Sequence, residues 1–186
     1  MATPPDFVSG AVLTAAQMNA VGLWLVNTTT FSVATGSVEI NDCFSADFQN
    51  YKIVWSITPS TTANISVRLR VGGVDNSTSN YFRAGVANLN TASTLSALNA
   101  TSQTGIVLFE GTASEEPFYC GELFVGRPFE VTRTIFNFHN PSRVSGQWGM
   151  HVGTALLNQS LSFDGISFIA ASGTFTGNLS VYGYRE

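Results

Sequence analysis

Apolar and polar residues alternate with a period of two along most of the chain beyond Val38. Tyr51, Ile53, Trp55 and Ile57 fall on one side, while Lys52, Ser56 and Thr58 fall on the other. Ile65, Val67, Leu69 and Val71 alternate in the same way with Ser66, Arg68 and Arg70. Successive strand side chains point to opposite faces, so this alternation marks half-buried antiparallel strands. Pro59–Ala63, between the two runs, reads as a hairpin connection. Further strands are predicted around Tyr81–Ala84, Ile106–Glu110, Tyr119–Val125, Val131–His139 and Gln147–Val152. Two more follow at Ser160–Ala170 and Phe175–Tyr184, with Gly165 in a bulge or turn and Ser172-Gly173 as a tight turn. About ten short strands with almost no helix predict an all-β fold, an antiparallel β-sandwich or jelly roll.

Two stretches break the pattern. Residues 7–38 contain no charged side chain. Within them Leu13–Ala20 predicts a short helix, in which Thr14 can cap the N-terminus and Gln17 sits at capping-box spacing. A helix this short is marginal alone in water, and its neighbours are too apolar to stand free. Residues 1–35 therefore read as an extended N-terminal docking arm, carried by Phe7, Val8, Leu13, Met18, Leu23 and Trp24, and 36–186 as the sandwich domain. The second stretch, 85–105, has neither charge nor clean alternation, with a candidate helix around Ala92–Leu98. A long connection inside a compact domain usually carries function. Asn88, Leu89, Asn90, Leu95 and Leu98 are thus candidates for a subunit-interface or receptor loop.

Composition narrows the function classes. Only 11% of the 186 residues are charged, against 44% hydrophobic, and Lys52 is the only lysine. Ser, Thr and Asn, at 20, 20 and 14 residues, supply the surface polarity instead. The hydrophobicity excludes intrinsic disorder. A net charge of −4 without a basic cluster excludes an electrostatic nucleic-acid binder. The most apolar run, Ala20–Val26, is far shorter than the ~20 residues of a membrane helix, so no membrane insertion is expected. Met1–Asp6 lacks the basic start of a secretory signal, which predicts a soluble chain made in the cytoplasm. Cys43 and Cys120 fit neither a disulfide framework nor a clustered zinc site and read as free thiols.

Candidate chemistry is sparse. Cys120 with His139 or His151 and Asp164 could be written as a nucleophilic triad, but Phe118–Glu122 is a strand pattern without a nucleophile elbow. Glu115 and Glu116 are adjacent and read as loop solvation rather than an acid–base pair. Asp75–Asn80 superficially resembles a calcium loop yet lacks its glycine and bidentate glutamate, so it reads as a turn. Glu39, Asp42 and Asp47 are a weak candidate for a hard cation at an interface. No cofactor or metal is expected. Arg68 and Arg70 share one strand face and are candidate interface charges, able, with Arg83, Arg127, Arg133 or Arg143, to pair with carboxylates across a sheet or a subunit boundary, against the plainer reading of solvent-facing strand residues. Tyr81-Phe82 and Tyr182/Tyr184 are candidate sugar-stacking aromatics, against the commoner fate of strand aromatics in the core.

Three segments carry a resemblance. Phe7-Val-Ser-Gly-Ala-Val-Leu-Thr-Ala-Ala-Gln-Met-Asn19 resembles the opening of many tailed-bacteriophage virion proteins, where "G-x-V-L-T-A-A-x-M-N" precedes a β-rich domain. Phe44-Ser-Ala-Asp-Phe-Gln-Asn-Tyr-Lys-Ile-Val54 is similar to their "F-S-x-x-x-x-N-Y-x-I-V" element, and Leu179-Ser-Val-Tyr-Gly-Tyr-Arg185 to their "V-Y-G-Y" finish. Residues from about 72 to 160 are unmatched. The resemblance implies a non-enzymatic virion structural protein, trimeric, assembled in the host bacterium. On this expectation the arm docks onto other virion proteins of the tail or capsid. The sandwich is then a tail-fibre or receptor-binding component whose 85–105 loop meets a host surface glycan, or alternatively a capsid decoration protein. A free carbohydrate-binding module is the minor alternative.

Overall fold

The computed structural model describes residues 22–111, 119–144 and 147–184, and these form strands joined by turns, bends and irregular loops. The strands are β1 (Leu23–Thr35), β2 (Ser37–Ile40), β3 (Asn50–Pro59), β4 (Ala63–Val71), β5 (Val74–Asp75), β6 (Tyr81–Leu89) and β7 (Ser96–Ala97). They continue with β8 (Ala100–Gln103), β9 (Ile106–Gly111), β10 (Tyr119–Gly126), β11 (Thr132–Val144), β12 (Gln147–Leu161), β13 (Gly165–Ala170) and β14 (Phe175–Tyr184). They form two sheets, with every pairing antiparallel. The larger runs β1-β14-β3-β10-β11-β12-β6-β7, with β8 also on β6; the smaller runs β2-β13-β4-β5, with β9 also on β4. This is the expected antiparallel β-sandwich.

The core lies between the inner faces. Tyr51, Ile53, Trp55 and Ile57 of β3 and Ile65, Val67 and Leu69 of β4 are all buried in it, as the alternation predicts. Trp55 stacks on Phe109 from the opposite sheet, with ring centroids 4.6 Å apart and planes 9° from parallel. Phe109 in turn packs on Tyr119, and Phe31 meets Phe175 edge to face. Offset stacking and edge contacts suit the ring quadrupoles and add to the burial of such large side chains.

Several expectations need correction. Pro59–Ala63 is a crossing between sheets rather than a hairpin, because β3 and β4 belong to different sheets. Both strands bury alternate residues, and they do so face to face across the core instead of edge to edge. Val71 ends β4 at the Gly72-Gly73 turn and is half exposed rather than core. The 85–105 stretch is largely strand, and Ala92–Leu98 forms turns and part of β7 instead of a helix. Its small inward residues, Gly85 and Ala87 opposite Gly153 and His151, hide the alternation. Ser160–Ala170 divides into the end of β12 and β13, the intervening Phe163 being fully buried. Leu23 and Trp24, assigned to the arm, belong to β1, which pairs with β14 from Leu23↔Tyr184 to Thr35↔Phe175. The arm residues Phe7, Val8, Leu13 and Met18, and with them the Leu13–Ala20 helix, lie outside the described residues.

The two segments of the resemblance that fall within the described residues form one structural unit. Residues 50–59 of β3 run beside 175–184 of β14, with Tyr51 opposite Gly183. Tyr51 accepts the Ser45 N–H at 2.7 Å and donates to the Ser45 carbonyl at 3.0 Å, closing the loop before β3. Its ring meets Phe44 and Phe48 in edge contacts. Phe48 covers Gly183 so closely that a Cβ there would fall 2.4 Å from the ring.

Candidate binding face

The inward rows fix which residues the larger sheet turns outward. Lys52 of β3 registers with Phe124 of β10 and Tyr182 of β14; Phe124 registers with Asn137 of β11, Asn137 with Thr154 of β12, and Thr154 with Ala84 of β6. The next outward row runs Val54, Glu122, His139, Val152 and Val86. Two rows from six strands thus place polar, charged and aromatic groups together on one face. They enclose an open basin of about 510 Å³, which also takes in Tyr184. Its floor is low because Ala84 brings only a methyl group to the middle of the sheet.

Lys52 Nζ lies 2.5 Å from Glu122 Oε2 along one wall. That hydrogen bond raises the Lys52 ammonium above its usual range. The pair is partly exposed, so its worth to stability is about 1 kcal/mol or less. Phe124 and Tyr184 form a tilted ring pair with centroids 5.9 Å apart. Thr154 Oγ1 donates to the Phe136 carbonyl at 2.9 Å, which orients the hydroxyl oxygen on the basin's far side. Asn137 and His139 stand exposed on β11.

No family model matches the chain, and no curated protein matches it. Among solved structures it is similar to a crystal structure of Caenorhabditis elegans galectin LEC-6. The two share 13% sequence identity over 85% of this chain and 96% of that chain, with a TM-score of 0.37. The basin is therefore read from its own residues.

The other sequence candidates are placed as follows. The triad does not assemble: Cys120 and His139 face outward on the larger sheet, while His151 is buried on its inner side. Asp164 instead accepts the Gly72 N–H at 2.8 Å, at the end of β4. Glu115 and Glu116 lie outside the described residues. Asn76 Oδ1 accepts the N–H and the hydroxyl of Thr78, making the Asp75–Asn80 segment the turn that was expected. Among the described residues no three His, Cys, Asp or Glu side chains come together as a metal site; Glu39 accepts from Ser37 and Asp47 from Ser45.

Of the two pairings open to Arg70, the structure shows the one across the sheet, to Asp75 of β5, rather than one across a subunit boundary. Arg70 is 7% exposed, and its guanidinium is used up inside the chain on Asn41 Oδ1 at 2.9 Å, Asp75 Oδ1 and the Gly73 carbonyl. It clamps the β4–β5 turn to the loop after β2. Arg68 donates from Nε to the Thr104 carbonyl at 2.8 Å, on the same strand face but nearer the surface. Arg127 pairs with Glu130 at 3.5 Å, and Arg83 donates to the Val107 carbonyl at 2.7 Å. Of the candidate aromatics, Tyr81 is a core residue that accepts the Leu69 N–H and donates to the Asn76 carbonyl. Tyr184 does reach a surface site.

The candidate receptor-loop residues divide. Asn88 and Leu89 are in β6, opposite Met150 and Gly149, and the Asn90 N–H donates to the Trp148 carbonyl at 2.6 Å. Leu89 and Leu98 line a second cavity of about 260 Å³ with Arg83 and His151. Leu95 alone of the five is a strongly exposed apolar side chain. The basin residues Glu122, Phe124, Asn137 and Thr154 were not singled out by sequence reasoning. A signal existed: Asn137 and Thr154 are polar outward positions of strands whose other outward residues include Ile135, Val152 and Leu156.

Proposed function

We propose that the chain is a non-enzymatic structural subunit of a tailed-bacteriophage virion, an oligomeric tail appendage that attaches to a host surface through the outer face of its larger sheet. The observation that carries this reading is the basin: four strands, β3, β10, β11 and β14, bring a bridged ion pair, an amide, an imidazole and two rings to one open face. Such a mixture of apolar walls with a few placed polar groups is the composition of a recognition site. The sequence resemblance to virion proteins supports the setting, because its two described segments pack into a single unit around Tyr51 and Gly183.

Capsid decoration is the second reading, favoured by β1. This strand is 13 residues long, stands at the edge of the larger sheet, and contains no charge or proline. Natural edges are usually short or charged to discourage pairing, so an unprotected one suits burial against a neighbour. Gold-labelled antibody on intact particles separates the two. Label at the tail is expected; label over the head supports decoration, and particles that carry none of the protein contradict both. Light scattering after size exclusion is expected to give a trimer.

A further inference from the structure

We infer that the basin is a saccharide site, taking a neutral sugar whose apolar ring face lies on Phe124 and Tyr184 and whose hydroxyls meet Lys52, Glu122, Asn137 and His139. This names the ligand class of the face described above and rests on the reading of that face as a binding surface.

The charge balance argues first. Among the described residues Lys52 is the single Lys or Arg lining the basin, and Glu122 already neutralises it at 2.5 Å. Phosphate or sulfate recognition draws on Arg forks, helix N-termini or several cations together. None of these is among the described residues lining the basin, where an anion would also face the Glu122 carboxylate. The site is neutral as a whole yet strongly polar in its parts, which calls for a ligand that is likewise neutral and polar.

Hydrogen-bonding character argues next. The Lys52 ammonium only donates and the Glu122 carboxylate only accepts, whereas the Asn137 amide does both and the His139 ring nitrogens add further hydrogen-bonding positions. A ligand matching all four must offer groups that donate and accept at a spacing of a few ångströms. Vicinal hydroxyls do this, each being one donor and two acceptor positions. A purely apolar ligand would strip water from these groups and leave them unpaired, at a cost of several hydrogen bonds.

Shape completes the case. The Phe124 and Tyr184 rings stand together at one side of the basin, whose floor Ala84 keeps low toward the other. Such a wall contacts a flat C–H-rich ring face while the floor leaves the ring edge free to reach the polar groups. The volume of about 510 Å³ lies within the roughly 300–1,000 Å³ of small-molecule sites.

The test is a chemical-shift titration of the isotope-labelled full chain with glucose, galactose, mannose, N-acetylglucosamine and N-acetylgalactosamine, each taken to about ten times a millimolar Kd. At least one is expected to give saturable shifts centred on Phe124, Tyr184, Asn137 and His139. Phe124→Ala and Asn137→Ala are each expected to weaken that binding about tenfold or more, as hot-spot truncations do. Cys120→Ser, farther along the same face, is expected to leave it unchanged. Two independent basin variants keep the test decisive if one folds poorly, which the spectrum outside the basin reports. No saturable shift with any of the five sugars overturns the inference, as does equal binding by both basin variants. Basin shifts with sodium phosphate that saturate at lower concentration than any sugar overturn it too, in favour of an anion site. Sugar binding by a protein that antibody does not find on particles would sink the virion reading alone. Labelled particles whose protein binds no sugar would sink only the ligand assignment.

Discussion

Gly183→Ala tests the packing unit that joins the β3 and β14 segments. An added Cβ would lie 2.4 Å from Phe48 Cγ and 2.6 and 2.7 Å from its two Cδ atoms. Ordinary contact needs roughly a further ångström, and Cγ is the root of the ring rather than its flexible end. The ring must therefore shift, which disturbs its edge contact with Tyr51, now 5.9 Å between centroids. Overpacking of this kind costs about 1–3 kcal/mol. For a chain of this size about 2 kcal/mol lowers Tm by roughly 4–8 °C. Urea unfolding followed by circular dichroism measures the loss directly, and a double-mutant cycle identifies its source. In a Phe48→Ala background the added methyl group has room, so Gly183→Ala should cost almost nothing there. The expected coupling is about 1–3 kcal/mol. Additivity of the two changes within about 0.5 kcal/mol would refute the claim that the Phe48 ring is what requires glycine.

Other expectations follow from individual contacts. Trp55→Ala removes a fully buried ring stacked on Phe109 and should cost about 3–5 kcal/mol, whereas Val54→Ala, on the outer face of the same strand, should cost about 1 kcal/mol or less in urea unfolding. Arg70→Met leaves Asp75 and Asn41 without their donor and should destabilise by about 3 kcal/mol, against about 1 kcal/mol or less for Arg68→Met. Equal costs would restore Arg70 to the surface. Cys120 is exposed and Cys43 buried, so a thiol reagent at mildly alkaline pH should label Cys120 quickly and Cys43 only after unfolding. Burial pushes the Cys43 thiol from 9.0 up to about 12. The folded state thus favours the neutral form: its contribution is intact below pH 9.0, and is lost as pH rises toward about 12, when only the unfolded chain ionises readily. Cys43→Ala should flatten stability across that window, seen as a smaller fall in Tm with rising pH than in the parent.

The alternation of Tyr51, Ile53, Trp55 and Ile57 with Lys52 and Ser56 made β3 legible, because its inner and outer rows differ sharply in polarity. β1 escaped notice because that contrast fails in it: Leu23 and Leu25 register with the outward Tyr184 and Tyr182, while Asn27 and Thr29 register with the inward Val181 and Leu179. A shift in register at Val26 disturbs the period further. The sandwich itself was legible, but the Pro59–Ala63 crossing was not, since periodicity records which side of a strand is buried and not which strand lies beside it. The basin was hidden for the same reason. Lys52, Phe124, Asn137 and Thr154 become neighbours only through the β3-β10-β11-β12 order, and each alone is an ordinary outward strand residue. Which pairing Arg70 makes was not legible because its partners Asn41 and Asp75 reach it through loop geometry that no local pattern encodes.

The proposed role, a virion subunit whose basin meets the host, can be measured on particles carrying Phe124→Ala in this protein. Such particles are expected to assemble with the parental amount of the subunit and to adsorb to host cells about tenfold more slowly, in line with loss of a binding hot spot. Particles that adsorb at the parental rate, or that never contained the subunit, would contradict it.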